Sequence, residues 1–202
     1  MRKVFSIFFI LIMSTSFLVA KEESVLEAAN TLQHIVRKYH KDIPPELVAN
    51  ANAIVVFSGV TKIGLFVGGL IGDGVMSVKG PKGWEAPIYV TIGGGSFGFQ
   101  FGVERSDILL FIMNEQIAND IKDHKVTLGA DASVAAGPLG LNLQESTDVK
   151  FSRDIYSYVI NKGLFAGVSL GGTLLTHDES VKIDPNSFAS KSFIETVKKM
   201  SR

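Results

Sequence analysis

The stretch IGLFVGGLIGDGVMSV, residues 63–78, decides the fold class of this chain. It is apolar, β-prone and punctuated by glycine, a pattern typical of strands rather than of an amphipathic helix. Glycine-containing breaks at Ser58–Gly59, at Gly80–Pro81–Lys82–Gly83 and at Gly93–Gly94–Gly95 separate it from similar runs. Those neighbouring runs are Ala53–Phe57, Pro87–Ile92, Phe97–Val103 and Asp107–Met113. The sequence from 53 to 113 therefore predicts a sheet of short strands.

Helical patterns flank this sheet. Residues 22–41 place apolar side chains on one face, with acidic residues near the start and basic residues near the end. Short helices are predicted over Glu46–Asn52 and over Glu115–Asp123, the second with Asn114 as its N-cap. Phe193, Ile194, Val197 and Met200 suggest a terminal helix. We predict an α+β fold: an antiparallel glycine-rich β-sheet or partial barrel with an N-terminal amphipathic helix and short flanking helices.

A second group of β-prone runs lies nearer the C-terminus, over Val126–Ala136, Asp148–Phe151, Tyr156–Ile160 and Leu164–Leu175. Within it the sequence Gly163–Leu164–Phe165–Ala166–Gly167 nearly repeats Gly64–Leu65–Phe66–Val67–Gly68, and each copy continues with a glycine four residues later. Glycine weakens a strand unless another group approaches the backbone closely. We interpret the repeat as two equivalent sheet positions crossed by another element.

Residues 1–20 have the layout of a secretory signal peptide. Arg2 and Lys3 precede an almost wholly apolar run, and Ala20 precedes the charged run Lys21–Glu22–Glu23. Cleavage is predicted near Ala20, although Leu18, two positions before Ala20, is larger than the small residue usually found there. The alternative is that residues 1–20 stay attached as a membrane anchor. The prediction is a periplasmic or secreted protein in which residues 21–202 form a single domain.

Composition excludes several classes of function. The chain of 202 residues contains no cysteine, which rules out disulfide scaffolds, thiolate zinc sites and thiol catalysis. Twenty basic and twenty acidic residues leave no net charge, an argument against nucleic acid as a partner. No metal site or cofactor is predicted, because none of the four histidines belongs to an HExxH motif or a comparable ligand spacing, and a solvated turn is favoured over a metal site at His177–Asp178–Glu179.

One motif carries a catalytic alternative. Residues 94–98 match the G-x-S-x-G nucleophile elbow, in which a strand turns sharply into a helix and exposes the serine. The residues after Ser96 are aromatic and alternating, however, and predict a strand instead of a helix. A serine hydrolase using Ser96 therefore stays a minor alternative, and we predict a protein without enzymatic activity.

Trp84 follows a tight turn, where packing against the fold is favoured over contact with lipid.

Several segments resemble a known family. In order they are Ile43–Pro44–Pro45–Glu46–Leu47–Val48–Ala49–Asn50–Ala51, Gly64–Leu65–Phe66, Gly83–Trp84–Glu85–Ala86–Pro87, Val103–Glu104–Arg105–Ser106–Asp107, Thr127–Leu128–Gly129, Ala136–Gly137–Pro138–Leu139–Gly140 and Lys162–Gly163–Leu164–Phe165–Ala166–Gly167–Val168–Ser169. Together they resemble the SYLF domain, also called the Ysc84 actin-binding domain. The resemblance implies lipid binding without catalysis, and fungal members also bind actin. A signal peptide would separate this chain from cytosolic actin, so actin is not expected as a partner, and protein partners stay unknown.

The lipid-binding hypothesis has candidate residues. His34, Arg37 and Lys41 lie opposite the apolar stripe of the first helix, with Lys38 nearby on the same far face. We therefore predict that these four residues bind the surface of an anionic phospholipid membrane. A structural helix with a solvated basic end explains the same pattern, and a protein-interaction module without lipid affinity is the second alternative. Whether the helix inserts into lipid or stays docked is left open by the sequence.

Overall fold

The computed structural model describes residues 22–123, 125–139, 151–167 and 170–201, with the backbone alone described at 64–68 and 96–103. The predicted signal peptide, 1–20, lies outside the described residues, as do positions 148–150 of one predicted strand. The described elements, in chain order, are α1 (22–39), α2 (Pro45–Asn50), β1 (Ala53–Gly80), β2 (Gly83–Trp84), β3 (Ile88–Ile112), α3 (Glu115–Asp123), β4 (Lys125–Thr127), β5 (Val134–Ala136), β6 (Ile155–Asn161), β7 (Leu164–Gly167), β8 (Thr173–His177) and α4 (Phe188–Met200).

A long antiparallel pair, β1 with β3, forms the centre of the sheet. Ala53 pairs with Ile112 near one end of the pair, and Met76 pairs with Ile88 near the other. The tight turn predicted after Gly80 is present, because β1 ends there and β2 begins at Gly83. The two long strands supply the frame on which the shorter strands assemble.

The predicted division of this region into five short strands is wrong. Ser58–Gly59 lies within β1 and residues 93–95 lie within β3, although both were expected to separate strands. The first break coincides instead with a register shift between Phe57 and Val60, and a second shift follows at 65–67. Such irregularities bend a strand and increase its twist without ending it.

Among the described residues the sheet has eight strands, and its main path runs β2–β1–β3–β6–β5. In addition, β7 pairs with β6, and β8 pairs with both β3 and β4. The pairs are antiparallel except for β5 with β6, which is parallel. Strong curling makes the sheet a half-barrel. The predicted α+β class, with a partial barrel and flanking helices, is confirmed.

Both faces of the sheet are covered at the beginning of β1. Ile54 and Val56 belong to a core cluster that includes α1, α2 and α4, whereas Val55 and Phe57 belong to a second cluster that includes α3. Successive side chains of a strand point to opposite faces, so a strand buried on both faces is apolar at every position. This explains why residues 53–57 show no alternation of apolar and polar side chains.

Several local predictions are confirmed. Helix α3 has the predicted bounds, and the Gln116 backbone N–H donates to Asn114 Oδ1 at 2.9 Å, as expected for an N-cap. The predicted strand over Tyr156–Ile160 corresponds to β6, and the terminal helix to α4. The first helix ends at 39, two residues earlier than predicted.

Other strand predictions need correction. The strand expected over Val126–Ala136 is two three-residue strands, β4 and β5, because the chain turns at Gly129 with a φ of 86°. The strand expected over Leu164–Leu175 comprises β7 and β8, and its positions 168–169 lie outside the described residues. Short strands of this kind acquire their extended form from the partner they pair with, which a local pattern does not reveal.

The glycine repeat does not mark two equivalent positions. Gly64 lies within β1, whereas Gly163 lies in the turn between β6 and β7 with a φ of 80°. A close approach of another segment is nevertheless present at Gly167, where a β-carbon would overlap the carbonyl oxygen of Gly137. The interpretation of a crossing element thus fits Gly167 but is wrong for the repeat as a pair of equivalent positions.

Candidate functional site

Helix α1 buries one face and exposes another. Its apolar stripe is in the core, with Val25, Leu32 and Ile35 at most 1% exposed. His34, Arg37, Lys38 and Lys41, the four predicted site residues, are all exposed. We call these four residues the basic end of α1. The first three lie on α1 and Lys41 follows it by two residues, so all four face solvent while the apolar stripe holds the helix in the protein.

An aromatic column fixes the position of this basic end. The Tyr39 ring stacks on Phe165 with centroids 4.7 Å apart, and Phe165 stacks on Tyr158 at 4.8 Å. The Tyr39 hydroxyl donates to the backbone oxygen of Gly163 at 2.8 Å, and Lys38 Nζ lies 5.2 Å from the Tyr39 ring centroid. Stacked rings and a cation over a ring both stabilise such contacts. The end of α1 is thus attached to the β6–β7 turn.

A groove of about 240 Å³ lies between α1 and α4. Arg37 of α1 and Lys199 of α4 both line it, together with the acidic Glu195. The Gln33 side-chain amide donates to Ser192 Oγ at 2.8 Å and so joins the two helices. Lys199 extends the basic end of α1, and sequence reasoning missed it as a site residue. The basic pair 198–199 near the C-terminus was the signal available for it.

A second, more acidic groove of about 290 Å³ lies near the start of α1, and Glu27, Asp73 and Arg105 are among its lining residues. Burial and the neighbouring Asp73 carboxylate raise the pKa of Tyr89. Asp107 accepts a hydrogen bond from the Gly59 backbone N–H at 2.8 Å. That contact gives Asp107 a structural role at the bulge in β1.

The geometry of a nucleophile elbow is missing at Ser96. This residue lies inside β3 and pairs with Gly68 of β1, so the backbone continues as a strand where an elbow turns into a helix. His177, at the end of β8, has its Nδ1 2.7 Å from the Lys122 backbone oxygen. Within the part of the chain that the structure describes, no group of three or more acidic or histidine side chains could hold a metal ion.

Trp84 packs against the fold, as predicted. Its ring is partly buried against the first core cluster, and its Nε1–H donates to Ser201 Oγ at 3.2 Å. The contact ties the turn after β1 to the end of α4. This indole therefore supports the helix that carries Lys199.

None of the helices in the described ranges combines the length and the apolar character required to cross a membrane.

Comparison with known proteins now identifies the family. A family model described as "Ysc84: Las17-binding protein actin regulator" matches residues 93–183, which run from the middle of β3 to beyond β8. The chain belongs to the Ysc84 (SYLF) family. The matched residues include Gly163 and Phe165, which hold Tyr39, whereas the basic end of α1 precedes the match.

Curated relatives in the Ysc84 family come from animals and fungi. "SH3 domain-containing YSC84-like protein 1" of Xenopus laevis is 38% identical over 135 residues, which is 66% of this chain and 40% of that protein. The Homo sapiens protein of the same name is 36% identical over 137 residues, 67% of this chain and 40% of that protein. "Protein YSC84" of Saccharomyces cerevisiae is 31% identical over 137 residues, 66% of this chain and 29% of that protein. The matched part of this chain spans less than half the length of these relatives.

Proposed function

We propose that this protein binds the surface of anionic phospholipid membranes through the basic end of α1, without catalysis. The observation that carries the proposal is the division of α1 into a buried apolar stripe and an exposed face bearing His34, Arg37 and Lys38, with Lys41 exposed just beyond the helix. A docked helix of this kind presents its cations without leaving the core. Family membership supports a binding module, because the printed description of the family names binding and regulation and no reaction.

The expected affinity follows from the charges. Each Lys or Arg near an anionic surface is worth about 1 kcal/mol, and this attraction falls off within a Debye length. Arg37, Lys38 and Lys41, with Lys199 beside them across the α1–α4 groove, therefore provide a few kcal/mol in total, and Glu195 in that groove opposes them. Binding should be weak and strongly dependent on salt.

The test is sedimentation with lipid vesicles. We expect the protein to sediment with phosphatidylcholine vesicles containing phosphatidylserine, to sediment less with phosphatidylcholine alone, and to dissociate as salt increases. The triple variant Arg37→Ala, Lys38→Ala, Lys41→Ala should lose most of this binding. These three side chains are exposed, so the thermal unfolding midpoint should fall only by the small contribution of the contact between Lys38 and the Tyr39 ring.

A matched control removes the same charge elsewhere. Lys125, Arg153 and Lys182 are exposed and belong to β4 and to loops outside α1 and α4. Replacing these three by alanine should leave vesicle binding nearly unchanged. Equal losses in the two triple variants would mean that only overall charge matters, and equal sedimentation with both vesicle types would remove the lipid proposal.

A second candidate function, actin binding, is favoured by the family description, which names an actin regulator that binds Las17. The expectation that actin is not a partner depended on export by residues 1–20, which lie outside the described residues. Sedimentation with actin filaments in the absence of lipid distinguishes the two functions. Actin binding that survives the Arg37, Lys38, Lys41 triple variant, with no vesicle binding by the unmodified protein, would favour actin over lipid.

Export and the absence of catalysis complete the proposal. We expect the protein outside the cytoplasm, with an N-terminus near Lys21, which N-terminal sequencing of the purified protein from cell fractions measures. We also expect no labelling by a fluorophosphonate probe, because Ser96 lies inside a strand. Labelling that disappears on Ser96→Ala would instead favour the hydrolase.

A further inference from the structure

The turn between β6 and β7 exposes an apolar side chain at its tip. Asn161 pairs with Leu164, and the two residues between them, Lys162 and Gly163, have φ values of 48° and 80°. Two central residues with positive φ are typical of the tight two-residue turn that suits a β-hairpin. The Leu164 side chain is 75% exposed. A single exposed leucine is ordinary by itself, so its surroundings decide whether it has a role.

Those surroundings are the basic end of α1. The Tyr39 hydroxyl donates to the Gly163 backbone oxygen, and Phe165, the residue after Leu164, stacks on Tyr39. Lys38 Nζ lies 3.8 Å from the position that a β-carbon on Gly163 would occupy. Lys162, also exposed, is the other central residue of the turn. The exposed leucine therefore directly follows a turn that carries Lys162, that Lys38 of α1 approaches, and that a hydrogen bond and a ring stack hold in place.

We propose that Leu164 is an apolar anchor that enters the bilayer interface while Lys38 and Lys162 contact the anionic headgroups beside it. This inference rests on the proposed lipid-binding function and names a second element that contacts the same membrane. Its partner is an anionic bilayer surface, chosen because Lys162 in the turn and Lys38 beside Gly163 complement that charge. Burial of a leucine side chain adds an attraction that salt does not screen.

The conformation of Lys162 supports the same inference. A residue other than glycine or asparagine rarely adopts a positive φ, because its β-carbon crowds the backbone. Asparagine followed by glycine is the preferred pair in this type of turn. Lys162→Asn should therefore raise the thermal unfolding midpoint and yet weaken binding to anionic vesicles. A purely structural role for this lysine would not produce opposite effects on stability and binding.

The first test replaces the anchor. Leu164→Ser should weaken binding to phosphatidylserine-containing vesicles about tenfold, since most of the transfer free energy of the side chain is lost. Its unfolding midpoint should not fall, because the side chain is exposed. The matched control is Ile71→Ser: Ile71 is 68% exposed, but it lies on β1 and lines the more acidic groove. The control should bind like the unmodified protein.

The second test measures insertion directly. The chain has no cysteine, so Leu164→Cys and Ile71→Cys each provide a single labelling site for an environment-sensitive fluorophore. The emission of a fluorophore at residue 164 should shift to shorter wavelength when anionic vesicles are added, and lipids with brominated acyl chains should quench it. The emission of a fluorophore at residue 71 should show neither change.

The outcomes separate the anchor from the function it rests on. If the basic triple variant loses binding while Leu164→Ser binds normally and the label at 164 stays in water, the anchor is overturned and the proposed function stands. If the unmodified protein does not distinguish anionic from neutral vesicles, both are overturned. Equal losses in Leu164→Ser and Ile71→Ser would also overturn the anchor, because apolar exposure anywhere would then suffice.

Discussion

At the scale of single residues, Gly167 and Gly171 belong to the same sequence pattern but differ in their surroundings. A β-carbon at Gly167 would overlap the backbone of Gly137, including its nitrogen at 2.8 Å, whereas at Gly171 nothing lies within 4 Å. Backbone atoms cannot move aside as the end of a flexible side chain can, so Gly167→Ala should lower the free energy of unfolding by about 1–3 kcal/mol. Gly171→Ala is the control and should change it by less than about 0.5 kcal/mol. Urea denaturation measures both, and equal effects would contradict the close approach at Gly167.

At the scale of elements, α1 should bind lipid without leaving the core. Gln33 on α1 and Ser192 on α4 are joined by a hydrogen bond. The chain has no cysteine, so Gln33→Cys with Ser192→Cys provides the only two thiols for a short bismaleimide linker. We expect the linked protein to sediment with anionic vesicles as well as the unlinked double variant does. A large loss on linking would mean that α1 must detach and lay its apolar stripe on the membrane.

Elements with a local pattern could be predicted from sequence, and elements defined by a partner could not. The first helix follows from a 3.6-residue repeat, and α3 from that repeat together with the cap residue Asn114. Strand β1 was divided wrongly because Gly59 at its bulge resembles the glycine of a turn, and β3 was divided wrongly at 93–95, where glycines lie in regular pairing with β1. Only the pairing of the two strands, which continues past the bulge, distinguishes these cases.

The candidate site shows the same limit. A helical wheel was enough to place Arg37, Lys38 and Lys41 away from the apolar stripe, and the structure leaves them exposed. The hydrogen bond from Tyr39 to Gly163 joins residues 124 positions apart, and the stack of Tyr39 on Phe165 is similarly distant. No local pattern indicates such a contact. The neighbourhood of Leu164 could therefore be recognised only from the fold.

At the scale of the whole molecule, buried and hydrogen-bonded ionisable groups determine how stability depends on pH. Hydrogen bonds from Ser133 and Asn114 hold the pKa of Asp154 below its ordinary value, and burial raises the pKa values of Tyr158 and Tyr89. Asp154 therefore stays charged down to a lower pH in the folded protein than in the unfolded chain. Its contribution to stability is therefore present above about pH 4 and lost as the pH falls further. The tyrosines stay neutral longer when folded, so their contribution is present below about pH 10 and lost as the pH rises.

Two conservative variants assign the two sides of this profile. In the folded protein Asp154 Oδ2 accepts hydrogen bonds from the hydroxyl and from the backbone N–H of Ser133. Asp154→Asn should therefore lower the free energy of unfolding at neutral pH by about 1 kcal/mol, and it should also flatten the loss of stability in acid.

Tyr158→Phe keeps the ring of the aromatic column but removes the hydroxyl that donates to the Pro138 backbone oxygen at 2.7 Å. It should also cost about 1 kcal/mol at neutral pH and should flatten the decline above about pH 10. Urea denaturation from about pH 3 to about pH 11 measures both sides. If Asp154→Asn left the loss of stability in acid unchanged, groups other than Asp154 would cause that loss. If Tyr158→Phe left the loss of stability in alkali unchanged, groups other than Tyr158 would cause it.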